Sequence, residues 1–219
     1  MISVDRISTR FCFIRHGETD WNVEKRIQGH RDVPLNATGR AQAEATAAGL
    51  AAHRFAAIYS SDLGRALETA AATARRQALT VCPESGLRER HYGRLQGMTV
   101  NEISRHFPDD AVRYQTRDAH WTFGDGESLY RFNDRIVRTI EALAARHAGA
   151  DVLCVAHGGV LDIVYRHATG RPLSAPRDFS VPNCALNWLE VTLADGRSEW
   201  RIAAWADRRH LDATLDESE

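Results

Sequence analysis

Four basic side chains follow predicted strands of this sequence, and their types could bind and transfer a phosphoryl group. Arg15 and His16 come directly after an apolar run, and His157 ends a second apolar run. Arg65 lies in the first turn of the helix predicted after another strand. Ligands of open α/β sheets bind at the carboxyl ends of the strands, and a helix N-terminus favours an anion. Because planar guanidinium groups match phosphate oxygens, we expect these side chains to form a phosphate pocket.

The residue types also indicate how such a phosphate would react. The sequence has no GxxxxGKS/T phosphate loop and no obvious carboxylate cluster for Mg²⁺, so we expect metal-independent catalysis. A neutral imidazole is a competent nucleophile, and nearby arginines depress its pKa enough to keep it neutral near pH 7. His16 is therefore the expected nucleophile. Glu89 is the candidate general acid, since a carboxyl group in a closed site can hold a proton near pH 7.

Strands that alternate with helices are predicted to position these residues. Strands are expected at 10–16, 56–61 and 151–157, with a hairpin over 186–205 around Asp195-Gly196. Helices are expected at 36–52, 63–76, 99–107, 109–117, 128–147 and 159–170, with Asn36 and Asp62 as the first two N-caps. This alternation predicts an α/β fold of three layers, α/β/α, with a mostly parallel central sheet.

The length of 219 residues fits a single domain, 1–219. Residues 92–127 are expected to form a small helical insertion that covers the site. The acidic tail, 207–219, is expected to be mobile.

Composition limits the classes of partner. The formal net charge of −1 gives no electrostatic support for binding nucleic acid or a membrane surface. The four cysteines have no metal-binding spacing and are expected to be free thiols in a reducing compartment. The N-terminus has no signal-peptide pattern and no apolar run could span a membrane, so we expect a cytoplasmic protein.

Six segments carry a resemblance to a known family. They are RHGETDWN (15–22), RIQGHRDVPLNATGRAQA (26–43), SSDLGRALETA (60–70), LRERHYGRLQG (87–97), GES (126–128) and VAHGG (155–159). In this order they resemble the histidine phosphatase superfamily, the phosphoglycerate mutase-like proteins. The resemblance implies that His16 becomes phosphorylated, that Arg15, Arg65 and His157 bind phosphate, and that Glu89 donates the proton. It also implies a homodimer as a further expectation.

The same resemblance implies a set of substrate-binding or phosphate-binding residues: Asn22, Gln28, Arg90, His91, Tyr92 and Gly158. Other residues keep two interpretations. Glu127 could begin the helix over 128–147 or lie near the site. Trp121 and Phe123 could line the substrate side or form the core of the insertion, and the sequence favours neither.

Two other classes of protein compete with this assignment. CPESGLR (82–88) has the Cys-x5-Arg spacing of cysteine-dependent phosphatases, but Glu84 and Glu89 flank the arginine and would raise the pKa of the thiol. A non-catalytic phosphate-binding protein of the same fold would have lost His16, Glu89 or His157, and this sequence retains all three.

Phosphatase and mutase activity share the phosphohistidine. LRERHYGRLQG is similar to the mutases, whereas the short segment 99–126, with few basic residues, and PNCALN (182–187) are more like the phosphatases. We expect a metal-independent phosphomonoesterase, without a cofactor, that acts on a small phosphorylated metabolite. The alternative is a cofactor-dependent phosphoglycerate mutase that is primed by 2,3-bisphosphoglycerate.

Overall fold

A six-stranded mixed sheet forms the centre of the molecule, whose computed structural model describes residues 7–211. The strands are β1 (Ser8–Arg15), β2 (Ala57–Ser60), β3 (Val81–Pro83), β4 (Asp151–Ala156), β5 (Leu186–Ala194) and β6 (Arg197–Asp207). Their order across the sheet is β3-β2-β4-β1-β5-β6. The first four strands in this order are parallel, and the β5–β6 hairpin is antiparallel to β1. The predicted mostly parallel sheet is confirmed.

Helices cover both faces of this sheet. The helices within residues 7–211 are α1 (Asp20–Val23), α2 (Ala37–Gly49), α3 (Gly64–Gln77), α4 (Val100–His106), α5 (Pro108–Gln115), α6 (Leu129–Arg146) and α7 (Gly158–Thr169). α6 and α7 pack on one face, while α3 packs on the other face and against α2. The three-layer α/β/α architecture is confirmed. No helix within residues 7–211 has both the length and the apolar composition that a membrane crossing requires.

The continuous apolar run in β1 is explained by burial on two faces. Phe11 and Phe13 pack into the cluster under α6 and α7, whereas Cys12 and Ile14 pack into the cluster under α3. Successive side chains of a strand point to opposite faces, so a strand in the centre of this sheet must be apolar at every position. This burial fixes the position of the carboxyl end of β1, where Arg15 and His16 lie.

The two predicted N-caps have different outcomes. The Asn36 side chain accepts the Gly39 N–H, as expected for the cap of α2. Asp62 was the wrong cap for α3, because the N-cap residue is Leu63, which makes no side-chain capping bond. The Asp62 carboxylate instead accepts two hydrogen bonds from Arg88, at 2.6 and 2.5 Å. A bidentate ion pair with a distant residue therefore replaces the local cap.

The segment 92–127 has a hydrophobic cluster of its own. Leu95, Ile103, Ala111 and Phe123 pack together with Ile27. The two predicted helices are present as α4 and α5. Pro108 is the first residue of α5, where the missing N–H of proline costs no helical hydrogen bond.

Two features at the edges were not expected from the sequence. β3 was missed because it has three residues, which include Pro83, and such short edge strands carry little pattern. Within the tail that we expect to be mobile, Asp207 ends β6, and His210 Nε2 lies 3.0 Å from the Cys184 carbonyl oxygen. The rest of that tail, 212–219, lies outside the described residues.

Candidate active site

His16 follows the end of β1, with one ring nitrogen hydrogen-bonded to a backbone carbonyl and the other facing Arg65. Its Nδ1 lies 2.7 Å from the Gly17 carbonyl oxygen, and because a carbonyl can only accept, Nδ1 carries the proton. Nε2 therefore keeps its lone pair and accepts a hydrogen bond from Arg65 Nε at 3.3 Å. The geometry leaves Nε2 as the nucleophilic atom.

Tight packing fixes the backbone around this ring. A Cβ on Gly17 would lie 2.4 Å from the Gly39 carbonyl oxygen, so only glycine allows the two segments to approach this closely. The Gly17 N–H donates to Thr69 Oγ1, and Asn183 Nδ2 donates to the His16 carbonyl at 2.7 Å. Asn183 lies 167 residues away in the chain, and sequence reasoning did not identify it as a partner of His16.

The electrostatic surroundings keep His16 neutral. The side chain is 3% exposed, and burial, with the charges of Arg65 and Arg15, lowers its pKa well below 6.5. Burial removes the water that would solvate an imidazolium, and the two guanidinium groups repel it. At neutral pH the ring is therefore uncharged.

Arg65 is fully buried beside His16. Its Nη1 donates to the Arg31 carbonyl and its Nη2 to the Gly29 carbonyl, both at 2.8 Å. Burial lowers its pKa to about 10, which still leaves the guanidinium charged at neutral pH. Two backbone carbonyls thus orient a permanent positive charge against the reactive nitrogen.

Arg15 and His157 present polar atoms that have no partner among residues 7–211. Arg15 Nη1 donates to the Val181 carbonyl at 3.0 Å, while its buried Nε has no hydrogen bond. His157 Nε2 lies 2.8 Å from Ser61 Oγ, while its buried Nδ1 has none. Buried polar groups are normally hydrogen-bonded, so these atoms indicate where an anionic ligand completes the site.

Sheet topology explains why these residues meet. β1 and β4 are parallel neighbours with Arg15 opposite Ala156, so His16 and His157 leave adjacent strand ends. Their ring centroids are 5.2 Å apart. β2 pairs with the other side of β4 and leads into α3, which carries Arg65. The predicted convergence of the four basic residues is the observed arrangement.

Glu89 faces the same site from a separate loop. Its carboxylate oxygens accept the N–H of Arg90 at 2.8 Å and the N–H of Gly159 at 2.9 Å. A Cβ on Gly159 would lie 2.1 Å from Glu89 Oε1, so any other residue there would have to displace the Glu89 carboxylate. Each oxygen keeps a further lone pair for a proton or a ligand.

Arg135 on α6 fastens the loop that carries Glu89. Its guanidinium donates to the carbonyls of Gly86, Arg88 and Glu89, at 2.9, 3.0 and 3.3 Å. It also forms a bidentate ion pair with Glu127, at 2.9 and 2.7 Å. Glu127 therefore positions Arg135, which answers the question that the sequence left open.

The site of His16 contains a cavity of about 230 Å³. Eight of the predicted site residues line it: Arg15, His16, Asn22, Gln28, Arg65, Glu89, Tyr92 and Gly158. His157 is fully buried beside His16 and does not line this cavity. Gln28 is bonded to Thr19 Oγ1 through Nε2, while its buried Oε1 has no partner among residues 7–211.

Arg90 and His91 lie outside the lining of this cavity, but Arg90 lines an adjoining cavity of about 300 Å³. Arg90 is 5% exposed and donates to the carbonyls of Glu127 and Trp121, at 2.8 and 2.9 Å. The His91 ring packs against His30 at 4.9 Å between centroids. Backbone carbonyls accept the hydrogen bonds of Arg90, and the His30 ring packs against His91. These contacts support the loop that carries Glu89.

Of the two aromatic residues of the insertion, only Phe123 belongs to its core, whereas Trp121 is 36% exposed. Phe123 is 1% exposed and packs in the cluster with Leu95 and Ile103. Trp121 donates its Nε1–H to Asp110 Oδ1 at 2.8 Å. Neither side chain lines the cavity of His16.

Nine residues that line the cavity were not predicted from the sequence. They are Lys25, Arg26, Ile27, Gly29, Val100, Tyr114, Gly159, Arg177 and Val181. Most lie in loops or on the insertion, where no periodic pattern marks a residue that faces a ligand.

The competing cysteine chemistry has no site in the structure. Cys82 is exposed on the edge strand β3, and Arg88 is paired with Asp62. All four cysteines are free thiols. Within residues 7–211 no group of three or more His, Cys, Asp or Glu side chains could hold a metal ion.

Curated proteins are similar to this chain over most of its length. Phosphoglycerate mutase-like protein 4 of Arabidopsis thaliana is 38% identical over 204 residues, 92% of this chain and 86% of that protein. The metal-independent phosphoserine phosphatase of A. thaliana is 36% identical over 216 residues, 96% of this chain and 86% of that protein.

Solved structures show the same fold. Bacillus stearothermophilus YhfR has a TM-score of 0.83 at 31% identity and covers 93% of this chain and 100% of its own. Mycobacterial glucosyl-3-phosphoglycerate phosphatase, in complex with VO3, has a TM-score of 0.81 at 31% identity and covers 91% and 99%. Residues 11–208 match the histidine phosphatase superfamily, branch 1. The chain therefore belongs to the histidine phosphatase superfamily and is an enzyme that acts as a phosphatase.

Proposed function

We propose that the protein is a metal-independent phosphomonoesterase that works through phosphorylation of His16. The observation that carries this proposal is the orientation of the His16 ring. Its Nδ1–H is bound to the Gly17 carbonyl, and its neutral Nε2 faces Arg65 at the base of the cavity. A nucleophile, a cationic cage and a carboxyl group within one cavity are the parts that metal-free phosphoryl transfer needs.

In the first step, His16 Nε2 attacks phosphorus and the bond between phosphorus and the ester oxygen breaks. Glu89 donates a proton to the departing oxygen, so a neutral alcohol leaves. In the second step, water attacks the phosphohistidine while Glu89 takes its proton. The N–P bond breaks, inorganic phosphate leaves, and His16 and Glu89 return to their starting protonation.

The cationic residues stabilise the charge that spreads over the phosphoryl oxygens. Arg15 would donate through its unpartnered Nε, and Arg65 would shift from His16 to the phosphoryl group. When the Ser61 hydroxyl donates its hydrogen bond to Nε2 of His157, the ring carries its proton on Nδ1, which would then donate to a phosphoryl oxygen. Ser61 would therefore select the tautomer of His157.

Removing Arg65 tests this stabilisation. We expect Arg65→Gln to lower kcat/KM for a phosphomonoester by about 10²–10³, the range for one preorganised charge-stabilising donor. Arg76→Gln, on the exposed side of the same helix, is the matched control and should change kcat/KM by less than about 2-fold. Steady-state kinetics and a thermal melt of both variants measure the effect. A small loss in a well-folded Arg65→Gln protein would remove Arg65 from the mechanism.

A phosphoglycerate mutase is the second candidate, since one relative is a phosphoglycerate mutase-like protein. A mutase must retain a doubly phosphorylated intermediate, for which the segment 99–126 offers few basic residues. The cavity nevertheless has further cations, because Lys25, Arg26 and Arg177 reach it from other loops. This observation favours the mutase more than the sequence did, and 2,3-bisphosphoglycerate would then be its priming cofactor.

One experiment decides between the two. Purified protein is incubated with 3-phosphoglycerate, with and without 2,3-bisphosphoglycerate, and phosphate release and 2-phosphoglycerate formation are measured on the same preparation. We expect phosphate release to be faster, to persist in EDTA and to be inhibited by vanadate, a mimic of the transferring phosphoryl group. Fast isomerisation that depends on the bisphosphate, with negligible hydrolysis, would establish the mutase.

The partner of this site would be a small phosphorylated metabolite, as for the phosphatase relatives. The absence of nucleic-acid and membrane binding, the homodimer and the cytoplasmic location remain predictions from the sequence.

A further inference from the structure

The side-chain amide of Asn183 connects the backbone of His16 to the side chain of Asn22. Its Nδ2 donates to the His16 carbonyl at 2.7 Å and lies 3.4 Å from Asn22 Oδ1. A carbonyl oxygen can only accept, so the amide of Asn183 must present its nitrogen, and not its oxygen, to both groups. Asn183 is 8% exposed, which leaves little room for water to compete for these contacts.

The amide of Asn22 has a fixed direction for a similar reason. The Thr19 N–H and the Thr19 hydroxyl lie 3.1 and 3.0 Å from Asn22 Oδ1. The N–H can only donate, and the hydroxyl already accepts from Gln28 Nε2 at 2.8 Å, which leaves its own proton for Asn22. With Asn183, three donors therefore converge on Oδ1 of Asn22.

The other end of this amide is available to a ligand. Asn22 lines the cavity of His16, and its Nδ2 makes no hydrogen bond with any residue in the described range 7–211. Two N–H groups are thus left to donate within the cavity. If the amide were reversed, it would present an oxygen there instead.

The direction of this amide matters for phosphoryl transfer. In the transition state, negative charge spreads over the phosphoryl oxygens, and preorganised donors stabilise it. Asn22 Nδ2 would add a neutral donor to the cations around His16, whereas an amide oxygen in the same place would repel the phosphoryl group. Whatever holds the oxygen of Asn22 away from the cavity therefore contributes to the rate.

The loop that carries Asn183 is held without help from its side chain. The Val181 carbonyl accepts from Arg15 Nη1 at 3.0 Å, and the Cys184 N–H donates to the Arg15 carbonyl at 2.9 Å. These bonds lie on both sides of Asn183 and remain when its side chain is removed. A substitution of Asn183 should therefore act through its two hydrogen bonds and not through release of the loop.

We propose that Asn183 is a positioning residue of the phosphatase reaction. It holds Asn22 with the amide nitrogen toward the phosphoryl group and ties that amide to the backbone of His16. Asn22 lines the cavity and Asn183 does not, so Asn183 acts through its neighbours without touching the substrate. This inference rests on the proposed phosphomonoesterase activity and adds to it a residue that prepares the site for the phosphoryl group.

A double-mutant cycle tests the connection. Asn183→Ala, Asn22→Ala and the double variant are compared in kcat/KM for 4-nitrophenyl phosphate. We expect each single variant to lose about 10- to 100-fold, as for one hydrogen bond to a charged group. Because Asn183 acts in part through Asn22, the double variant should lose at least about 5-fold less than the product of the single losses.

The inhibition constant of vanadate gives a readout that a merely structural role would not change. It should rise about 10-fold in Asn183→Ala, because Asn22 no longer presents its nitrogen reliably to the anion. A smaller fraction of folded protein would lower kcat and leave this constant unchanged. Asn183→Ser keeps one donor and should lie between the wild type and Asn183→Ala. It also serves in the same cycle if the alanine variant does not fold.

Asn187→Ala is the matched control. Asn187 is another buried asparagine that donates to a backbone carbonyl, that of Phe13 at 3.0 Å, and it does not line the cavity. The variant should lower the melting temperature but keep the inhibition constant of vanadate within about 2-fold.

Three results would overturn the inference: losses that multiply in the double variant, an unchanged inhibition constant in Asn183→Ala, or the same rise in Asn187→Ala. Failure of the wild-type protein to hydrolyse 4-nitrophenyl phosphate would instead refute the phosphatase proposal. Binding of inorganic phosphate, measured by calorimetry on the same variants, needs no turnover. It should weaken in Asn183→Ala and stay unchanged in Asn187→Ala, so it tests the role of Asn183 separately from the reaction.

Discussion

His16→Asn is expected to reduce phosphomonoester hydrolysis by more than about 10⁴-fold, the scale seen when an enzyme loses its nucleophile. Asparagine keeps a polar side chain near the Gly17 carbonyl but has no nitrogen lone pair for attack on phosphorus. Steady-state rates and a thermal melt of the variant measure the effect. His53→Ala, which removes a ring that packs near Trp188 away from the cavity, is the control and should retain activity.

The intermediate gives a second readout. An alkaline quench during turnover should trap phosphate on Nε2 of His16, because Nδ1 is engaged with the Gly17 carbonyl. The two phosphohistidine isomers can be separated after proteolysis. Since burial and two arginines hold the pKa of His16 well below 6.5, its protonation should reduce kcat/KM only below that pH. Phosphate found on Cys82, or substantial turnover by His16→Asn, would contradict the assignment.

Glu89→Gln should slow the phosphorylation of His16 by alkyl phosphates about 10²–10⁴-fold, the contribution of a positioned general acid. The amide has nearly the same shape but cannot give its proton to the alkoxide. An aryl phosphate needs this proton far less, because nitrophenolate leaves unaided, so its loss should be about 10-fold or smaller. Single-turnover kinetics isolate this step from hydrolysis of the phosphohistidine, in which Glu89 would act on both substrates.

A second variant tests the same carboxyl group without changing it. In Gly159→Ala the added Cβ would lie 2.1 Å from Glu89 Oε1 and must displace the carboxylate. We expect the same selective loss on alkyl phosphates. Glu44→Gln, an exposed change on α2, is the control and should behave as wild type. If Glu89→Gln slows alkyl and aryl esters equally, Glu89 binds substrate or supports the loop and is not the acid.

Much of the fold was predictable because local pattern sets it. The apolar run of β1, the Asn36 cap of α2 and the amphipathic α6 each depend on residues close together in the chain. Predictions from local pattern failed where a residue or strand far away in the chain forms the contact instead. Asp62 is bonded to Arg88 and caps nothing, and the short β3 exists because β2 offers it an edge.

The sequence by itself determined which basic residues come together at the site. Arg15, His16, Arg65 and His157 are unusual polar residues at the ends of strands or the start of a helix, and topology requires those ends to meet. Their types alone indicate phosphate and a metal-free nucleophile.

Only the tertiary structure decided where the remaining side chains point. Arg90 donates to two backbone carbonyls and lines only the adjoining cavity, Glu127 forms an ion pair with Arg135, and Arg177 is held beside the cavity by Asp162. It also decided which nitrogen of His16 is free. Each of these outcomes depends on contacts between loops that are far apart in the chain, and side-chain direction in loops follows from such contacts because no local periodicity constrains it.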